Sequence, residues 1–452
     1  MGLGLHGGGV GVIKFLAEAG ATVLATDLKS EKELEVSLAK LKNVPRIEYV
    51  LGQHREENFS RADMIVKNPA VPWTNKYIQL ALKKNVPVEM DSSLFFKLCK
   101  NKIIGITGTR GKTTTASLIW EILREAKLNP IKIGIGQVSV LDKLKELEHN
   151  SVIVTELSSW RLSALGRYGL SPEIAVLTNI FQDHLNYYPK MEAYVADKKY
   201  IFVNQKKSDF CVLNWDDEKL NKLESEVNSQ LIKFSKSKLE ADNSVYISDG
   251  MIYARWNGKE EKIMEVSEIK IKGAHNVSNI LASIGAAKAL GIKGENIKKG
   301  IVAFSGLPHR LEFVRELGRV KYYNDTAATS PDGAISSLNS FEENIVLLAG
   351  GSDKNLDMLE LARAIKNKTD KVIFLEGIGT DKIIAQLRKL GGVENFIVAD
   401  SMEKAVALAR DLAKAGDVVL LSPGTASFGL FLNEFDRGDK FKLAVNNLAG
   451  KT

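Results

Sequence analysis

The sequence predicts an α/β protein whose sheets are mostly parallel and whose chain is divided into three domains. Its 452 residues are too many for one ordinary domain. Short β-branched and apolar segments alternate with segments of helical spacing, which is typical of parallel sheets covered by helices. No apolar run approaches the ~20 residues of a membrane span, and no signal-peptide pattern opens the chain. We therefore expect a soluble, cytoplasmic protein.

The first domain opens with a glycine-rich turn. Gly2-Leu-Gly-Leu-His-Gly7 is a G-x-G-x-x-G pattern, followed by a helical segment at 10–19 and a strand at 22–27. Asp27 lies 20 residues after Gly7, as in dinucleotide sites, so a nicotinamide-dependent oxidoreductase is one alternative. The strand that should precede Gly2 is missing. Either the true start lies upstream, or the first sheet lacks its central strand.

A second domain begins with a new strand at 102–107. Before it, a strand at 62–66 and a helix at 77–84 complete the first domain, so the boundary lies near residue 100. Strands at 151–157 and 174–179 belong to the second domain. We also expect short antiparallel strands in the polar stretch 233–262, and a last helix that begins near Asn276.

The third domain repeats a strand followed by a helix four times. The predicted strands are 344–348, 371–375, 396–399 and 417–421. The predicted domains are therefore 1–99, 100–304 and 305–452.

The most informative segment is Ile104-Gly-Ile-Thr-Gly-Thr-Arg-Gly-Lys-Thr-Thr-Thr115, a strand that leads through a glycine-rich turn into a helix near Lys112. Backbone N–H groups of such a turn bind phosphate oxygens, a lysine adds positive charge, and a threonine hydroxyl can bind Mg²⁺. The match to the general P-loop pattern is partial, because Ile106 replaces its first glycine. The predicted ATP-binding residues here are Gly108, Thr109, Arg110, Gly111, Lys112, Thr113 and Thr114.

Polar residues at two further strand ends point to the same place, because ligands of open α/β sheets collect at the carboxyl ends of strands. Glu156 ends one strand, and Asp183 and His184 follow another. A carboxylate and an imidazole near a triphosphate can hold divalent cations. Lys198 lies downstream on a predicted helix, one turn from Tyr194.

Together these stretches resemble the Mur ligase family over nearly the whole chain. The matching stretches are Thr107-Gly-Thr-Arg-Gly-Lys-Thr113, Glu156-Leu-Ser-Ser-Trp160, Asp183-His184, Gly273-Ala-His-Asn276 with Asn279, Gly306-Leu-Pro-His-Arg310, Asn324-Asp325, Gly350-Gly-Ser-Asp-Lys354, and Ser422 to Ser427 ending at Arg437-Gly438. The resemblance implies a Rossmann-like N-terminal domain for a UDP-sugar, a central P-loop ATPase domain and a Rossmann-like C-terminal domain that closes on ATP and brings the amino acid.

The resemblance also implies residue roles. Lys112, Glu156, His184 and a carbamylated Lys198 would be catalytic, with Lys199 as the competing candidate for the last. Thr113, Glu156, His184 and Lys198 would be the metal-side groups. Asn279 would contact adenine, and Arg310 and Asp325 the ribose or phosphates. Leu5, His6, Asp27, Lys29 and Gln137 would bind the UDP-substrate, and Lys354, Thr329 and Ser427 the amino acid.

The implied activity is an ATP- and Mg²⁺-dependent ligase that adds D-glutamate to UDP-N-acetylmuramoyl-L-alanine through an acyl phosphate. Two positions depart from the family pattern: Ala327 where many relatives have lysine, and Glu434 where they often have phenylalanine. Two alternatives therefore stay open: a ligase that adds another amino acid, such as L-alanine, and a non-catalytic nucleotide-binding relative.

Charge and cysteine content exclude other classes of protein. The excess of 62 basic over 55 acidic residues gives a net charge of +7, but the lysines are dispersed. A nucleic-acid partner would need basic clusters with interleaved aromatic residues, so we expect no nucleic-acid partner. We also expect the protein to be a monomer. Cys99 and Cys211 lie far apart without metal-ligand spacing, which argues against a disulfide scaffold or a zinc site.

Overall fold

The computed structural model describes residues 1–5, 7–136, 138–183, 187–369, 371–391 and 396–449. Its contacts divide the chain into two compact units. The first comprises residues 1–268 and 277–303, and the second residues 269–276 and 304–452. Both are mixed α/β units with mostly parallel sheets, which confirms the predicted fold class.

The first unit contains three sheets with helices around them. Its helices are α1 (Gly8–Glu18), α2 (Glu35–Ala39), α3 (Glu56–Ser60), α4 (Lys76–Lys83), α5 (Asp91–Leu98), α6 (Lys112–Glu125), α7 (Ser159–Arg167), α8 (Met191–Lys199), α9 (Glu218–Asn221), α10 (Ala274–Ala289), of which the part from Val277 belongs to this unit, and α11 (Gly294–Ala303). Its strands are β1 (Val23–Asp27), β2 (Ile47–Leu51), β3 (Ile65–Val66), β4 (Val88–Glu89), β5 (Lys102–Thr107), β6 (Asn129–Ile133), β7 (Ser151–Glu156), β8 (Ile174–Leu177), β9 (Phe210–Asn214), β10 (Gln230–Ser235), β11 (Ser244–Ser248), β12 (Met251–Trp256) and β13 (Lys259–Glu265).

Two small parallel pairs replace a single sheet in the first hundred residues: β1 pairs with β2, and β3 with β4. The opening residues run between the pairs. The Gly2 N–H donates to Thr26 O at 2.8 Å, and the Asn68 N–H donates to Met1 O at 2.9 Å. Residues 1–5 form no strand.

The large sheet of the first unit has nine strands in the order β13-β12-β11-β10-β9-β8-β5-β7-β6. From β10 to β6 all neighbours are parallel, and β5 lies between β7 and β8. The apolar run of β5 explains this central place, since Ile104 and Ile106 are fully buried. The carboxyl ends of β5, β7 and β8 therefore meet at one edge.

Two predictions for this region were partly wrong. The polar stretch 233–262 is antiparallel only from β11 to β13, because β10 pairs in parallel with both of its neighbours. The helix expected near Asn276 is α10, but it is not the last helix before residue 304, since α11 follows it.

The second unit is built on one six-stranded sheet. Its strands are β14 (Glu312–Leu317), β15 (Val320–Asn324), β16 (Ile345–Gly350), β17 (Lys371–Leu375), β18 (Phe396–Ala399) and β19 (Val418–Leu421), in the order β14-β15-β19-β16-β17-β18. Its helices are α12 (Pro331–Leu338), α13 (Leu359–Lys368), α14 (Ile378–Lys389), α15 (Met402–Leu412) and α16 (Glu434–Asn446).

The four predicted strand–helix pairs of this unit are confirmed, from β16 and α13 to β19 and α16. Alternate residues of β16 face opposite cores, with Leu347 in one and Val346 in the other, as expected of a strand covered on both faces. The antiparallel hairpin of β14 and β15 was not predicted. Among the described residues, no helix combines the length and apolar character that crossing a membrane requires.

Candidate functional site

The phosphate loop of residues 108–111 joins β5 to α6 and is held against the end of β8. The Arg110 N–H donates to Asn179 Oδ1 at 2.8 Å, and the Thr178 hydroxyl donates to Arg110 O at 2.6 Å. The Thr109 N–H donates to Asn179 O at 2.9 Å. These bonds fix the loop backbone at the N-terminus of a long helix, which is the arrangement that binds phosphate oxygens.

The side chains of α6 face the same point. Lys112 Nζ donates to Gly108 O at 2.9 Å and to Thr109 O at 3.1 Å, so its ammonium lies on the loop. The Thr113 hydroxyl donates to Glu156 Oε2 at 3.1 Å. A hydroxyl beside a buried carboxylate is an oxygen donor pair that suits Mg²⁺. Within the described ranges, no cluster of three His, Cys, Asp or Glu residues could hold a metal ion.

Lys198 is buried beneath the phosphate loop. Its side chain is on α8, and Nζ donates to Gly108 O at 2.9 Å and to Thr107 Oγ1 at 3.3 Å. Burial, and after it the charge of Lys112, lowers the pKa of Lys198 well below its ordinary value. Lys199 instead forms an ion pair with Glu226. The competing lysine therefore lies away from the loop.

Asn279 and Asp183 flank the loop on other sides. Asn279, on α10, is buried, and its Oδ1 accepts from the Thr115 hydroxyl at 3.4 Å. Asp183 is close enough to raise the pKa of Lys198, although burial outweighs it. Thr114 lies on the first turn of α6. His184 lies outside the described residues.

A cavity of about 950 Å³ connects the opening glycine turn with the phosphate loop. Leu5 and Gly4 line one part of it, and Lys112 and Glu156 line another. Such a volume is typical of a site for a large organic ligand. A single ligand could therefore contact the N-terminal turn and reach Lys112 and Glu156.

Two of the other predicted UDP contacts, Asp27 and Lys29, are not among the residues that line the cavity. Asp27 accepts from the Gly4 N–H and the Lys29 N–H, both at 3.0 Å, and so stabilises the turn. Lys29 Nζ is exposed and pairs with Glu33 at 3.7 Å. His6 and Gln137 lie outside the described residues.

Three residues of the cavity wall were missed from the sequence. Asn68 follows β3, and Asp91 opens α5. Arg161, on the first turn of α7, donates from Nη2 to Asp91 Oδ2 at 3.2 Å and from Nη1 to Gly134 O at 3.3 Å. The sequence could have indicated Asn68 and Arg161, because both follow the carboxyl end of a predicted strand by a few residues, where ligands bind in open α/β sheets.

In the second unit, Asp325 is the centre of a buried network. Its Oδ1 accepts from the Leu311 N–H at 3.1 Å, and its Oδ2 accepts from the Ser422 hydroxyl at 3.2 Å and from the Ser337 hydroxyl. Burial raises the pKa of Asp325 to about 6, and these hydrogen bonds, followed by the charge of the exposed Arg310, oppose this only in part. Asp325 therefore holds the hairpin, α12 and the end of β19 together.

The predicted amino-acid residues lie on neighbouring loops of the second unit. Lys354 Nζ donates to the Thr329 hydroxyl at 3.0 Å, and Ser427 is buried. Arg437 links the loops that carry Thr329 and Ser427, because its guanidinium donates to Thr326 Oγ1 at 2.9 Å and to Ala426 O at 3.2 Å. Ala327 stands between Thr326 and Thr329 on the first of these loops.

Comparisons with known proteins identify the family. Residues 1–89 match a Mur ligase MurD-like N-terminal domain, 106–287 the Mur ligase middle domain, and 309–424 the Mur ligase glutamate ligase domain. A UDP-N-acetylmuramoylalanine--D-glutamate ligase of Roseiflexus sp. (strain RS-1) is 40% identical, with 99% of this chain and 97% of the relative covered. The chain belongs to the Mur ligase family. The ligase of the same description from Borreliella afzelii (strain PKo) is 39% identical, with 99% of this chain and 97% of that protein covered.

Solved Mur ligases share the fold. MurF from Thermotoga maritima in complex with ADP matches at a TM-score of 0.60 and 17% identity, with 94% of this Mur ligase and 95% of MurF covered. UDP-N-acetylmuramate-alanine ligase MurC from the same organism matches at a TM-score of 0.57 and 22% identity, covering 96% of both chains. At these identities the likeness establishes the three-domain architecture alone.

Proposed function

We propose that this Mur ligase joins D-glutamate to UDP-N-acetylmuramoyl-L-alanine with hydrolysis of ATP, in peptidoglycan precursor synthesis. The relatives at 36 to 40% identity, all described as ligases of this specificity, support the choice of substrates. Residues 1–99 bind the UDP-sugar, 100–304 bind ATP, and 305–452 bind the amino acid. The enzyme works as a monomer in the cytoplasm.

The cavity is the observation that carries the proposal. It is lined by the glycine turn of the N-terminal part and also by Lys112 and Glu156 of the phosphate loop region. A UDP-linked substrate whose nucleotide lies at Leu5, His6, Asp27, Lys29 and Gln137 could place its peptide carboxylate near the γ-phosphate. An ATPase alone would not need a cavity of this extent.

The reaction follows from charge and position. A carboxylate oxygen of the UDP-substrate attacks the γ-phosphorus, the bond to ADP breaks, and an acyl phosphate forms. The amine of D-glutamate then attacks the acyl carbon, and phosphate leaves with the former carboxylate oxygen. Lys112 and the loop N–H groups stabilise negative charge on the transferred phosphoryl group, as preorganised donors do in phosphoryl transfer.

Mg²⁺ fits the oxygen donors beside the loop. Thr113, Glu156, His184 and a carbamate on Lys198 are its proposed side-chain groups, and when bound it would neutralise charge on the phosphate oxygens. The lowered pKa of Lys198 supports the carbamate, because only the neutral amine reacts with carbon dioxide. Asn279, Arg310 and Asp325 bind the rest of the nucleotide.

Lys354, Thr329 and Ser427 bind the carboxylates of D-glutamate. An ammonium and two hydroxyl groups supply the donors that a dicarboxylate requires. Arg437 acts on this site indirectly, by holding its two loops together.

An isotope experiment tests the acyl phosphate. The alanyl carboxylate of the substrate is labelled with oxygen-18, and the enzyme is supplied with Mg-ATP and D-glutamate. We expect one labelled oxygen in each phosphate released, since phosphate leaves with a carboxylate oxygen. Unlabelled phosphate would contradict the proposed reaction.

A further inference from the structure

A tryptophan joins the N-terminal part of the first unit to the central part. Trp73 lies in the segment between β3 and α4 and packs on the core cluster that contains Phe59 and Ile78. Its indole Nε1–H donates to the hydroxyl of Ser163, on α7, at 2.8 Å. Ser163 is buried and donates in turn to Trp160 O at 2.6 Å.

Two cations lie against the Trp73 ring, one from each side of this contact. Lys67 Nζ, from the N-terminal part, is 4.5 Å from the ring centroid, and Arg167 Cζ, from α7, is 3.9 Å from it. Burial, and after it the charge of Arg167, lowers the pKa of Lys67 to about 7. The Trp73 ring attracts the positive charges of Lys67 and Arg167, which repel each other. We call Trp73, Ser163, Lys67 and Arg167 the Trp73 junction.

The junction lies between two walls of the cavity. Asn68 and Ala70, a few residues before Trp73, belong to one wall, and Trp160 and Arg161, on the first turn of α7, belong to another. Trp73 and Ser163 themselves do not line the cavity. Lys67, by contrast, does line it. The hydrogen bond between Trp73 and Ser163 therefore links the two walls from outside the cavity.

We propose that Trp73 is a positioning residue that fixes the wall at Asn68 and Ala70 relative to α7, so that the bound UDP-substrate presents its carboxylate to the phosphate loop. The inference rests on the proposed function for the identity of this substrate. Trp73 does not line the cavity, so it would act without touching the substrate or the nucleotide. Its loss should affect use of the UDP-substrate while ATP binding stays intact, since Lys112 and the phosphate loop lie wholly within the central part.

Trp73→Leu tests this, with Trp120→Leu as the matched control. Trp120 likewise donates one hydrogen bond, to Pro130 O at 3.0 Å, and its ring lies near Arg124 and Lys132, but all three partners belong to the central part. We expect Trp73→Leu to lower kcat/KM for the UDP-substrate by about 5- to 50-fold, the combined effect of one hydrogen bond and the cation contacts. The Kd for ATP should change less than about 2-fold, and Trp120→Leu should leave kcat/KM for the UDP-substrate near the wild-type value.

Trp73→Phe separates the hydrogen bond from the ring. It should give an intermediate loss. Ser163→Ala should cost less in the Trp73→Phe background than in the wild type, because the bond between the two side chains is already absent there and only the bond from Ser163 to Trp160 O is still lost. Equal kinetics for wild type and a folded Trp73→Leu protein would overturn the inference.

Amide exchange in the free protein keeps the test independent of the substrate's identity. Trp73→Leu should speed exchange at residues 68–71 and 159–163 together, whereas Trp120→Leu should not. A wild type that turns over none of the substrates would contradict the proposed function, while unchanged exchange at both segments would overturn the role of the junction.

Discussion

Replacing Gly111 by alanine should weaken ATP binding through a second residue, Asn279. Gly111 has φ +86°, a left-handed conformation that glycine adopts freely. A Cβ added there would lie 2.3 Å from Asn279 Oδ1, and the three nearest atoms all belong to the Asn279 side chain. The substitution therefore displaces the side chain that we assign to adenine.

Two contributions to the effect can be separated. The backbone strain costs about 1–2 kcal/mol of stability. Loss of the Asn279 contacts to adenine costs about 1–3 kcal/mol of binding, or roughly 5- to 150-fold in the Kd for ATP. Gly169→Ala is the control for strain, because Gly169 has φ +63° and an added Cβ would meet no atom within 4 Å.

Calorimetric titration of ATP into five proteins completes the test: wild type, Gly169→Ala, Gly111→Ala, Asn279→Ala and the double variant of Gly111→Ala with Asn279→Ala. In the Asn279→Ala background the colliding atoms are gone, so Gly111→Ala should weaken binding little further. Additive losses, or a Kd for Gly111→Ala equal to that of Gly169→Ala, would refute this reasoning.

Three further predictions concern the remaining sites. Lys198→Ala should lose about 10²- to 10³-fold in kcat, and bicarbonate should not restore it, because no amine remains to be carbamylated; near-normal turnover would contradict the role of Lys198. The raised pKa of Asp325, about 6 against an ordinary 3.8, means that the folded protein holds this proton more tightly than the unfolded chain. Asp325 should therefore lower the free energy of unfolding as the pH rises from about 4 to 6, by at most ~3 kcal/mol. The melting temperature of the wild type minus that of Asp325→Asn should fall over that pH range. A constant difference would contradict the raised pKa of Asp325. Lys354→Met should raise the KM for D-glutamate by about 10-fold or more by removing a charged donor, with the KM for ATP unchanged; equal rises in both would argue against a specific role.

The sequence was most informative where local physics decides the structure. The apolar run that ends at Thr107, the glycines after it and the helical spacing from Lys112 predict a strand, a glycine-rich turn and a helix, and all three are present at those bounds. The strand–helix pairs from β16 to α16 were recognised for the same reason. Motifs and periodicity are properties of short segments, so they can be recognised in the sequence without knowledge of the tertiary structure.

Tertiary contacts could not be inferred in this way. Nothing in the sequence separates Lys198 from Lys199 except spacing to Tyr194, whereas the fold buries one and leaves the other in an ion pair with Glu226. Arg161 enters the cavity wall because Asp91, 70 residues earlier in the chain, holds its guanidinium. The hairpin at 312–324 was missed although Gly318 and Arg319, both at positive φ, form its turn.

Phosphate release by the purified protein tests the central claim most directly. The assay contains Mg-ATP and UDP-N-acetylmuramoyl-L-alanine, and each candidate amino acid is added in turn. We predict release that depends on D-glutamate, together with a product heavier by one glutamyl residue. Dependence on another amino acid would contradict the assigned specificity, and silence from a folded protein with every amino acid would contradict the ligase activity itself.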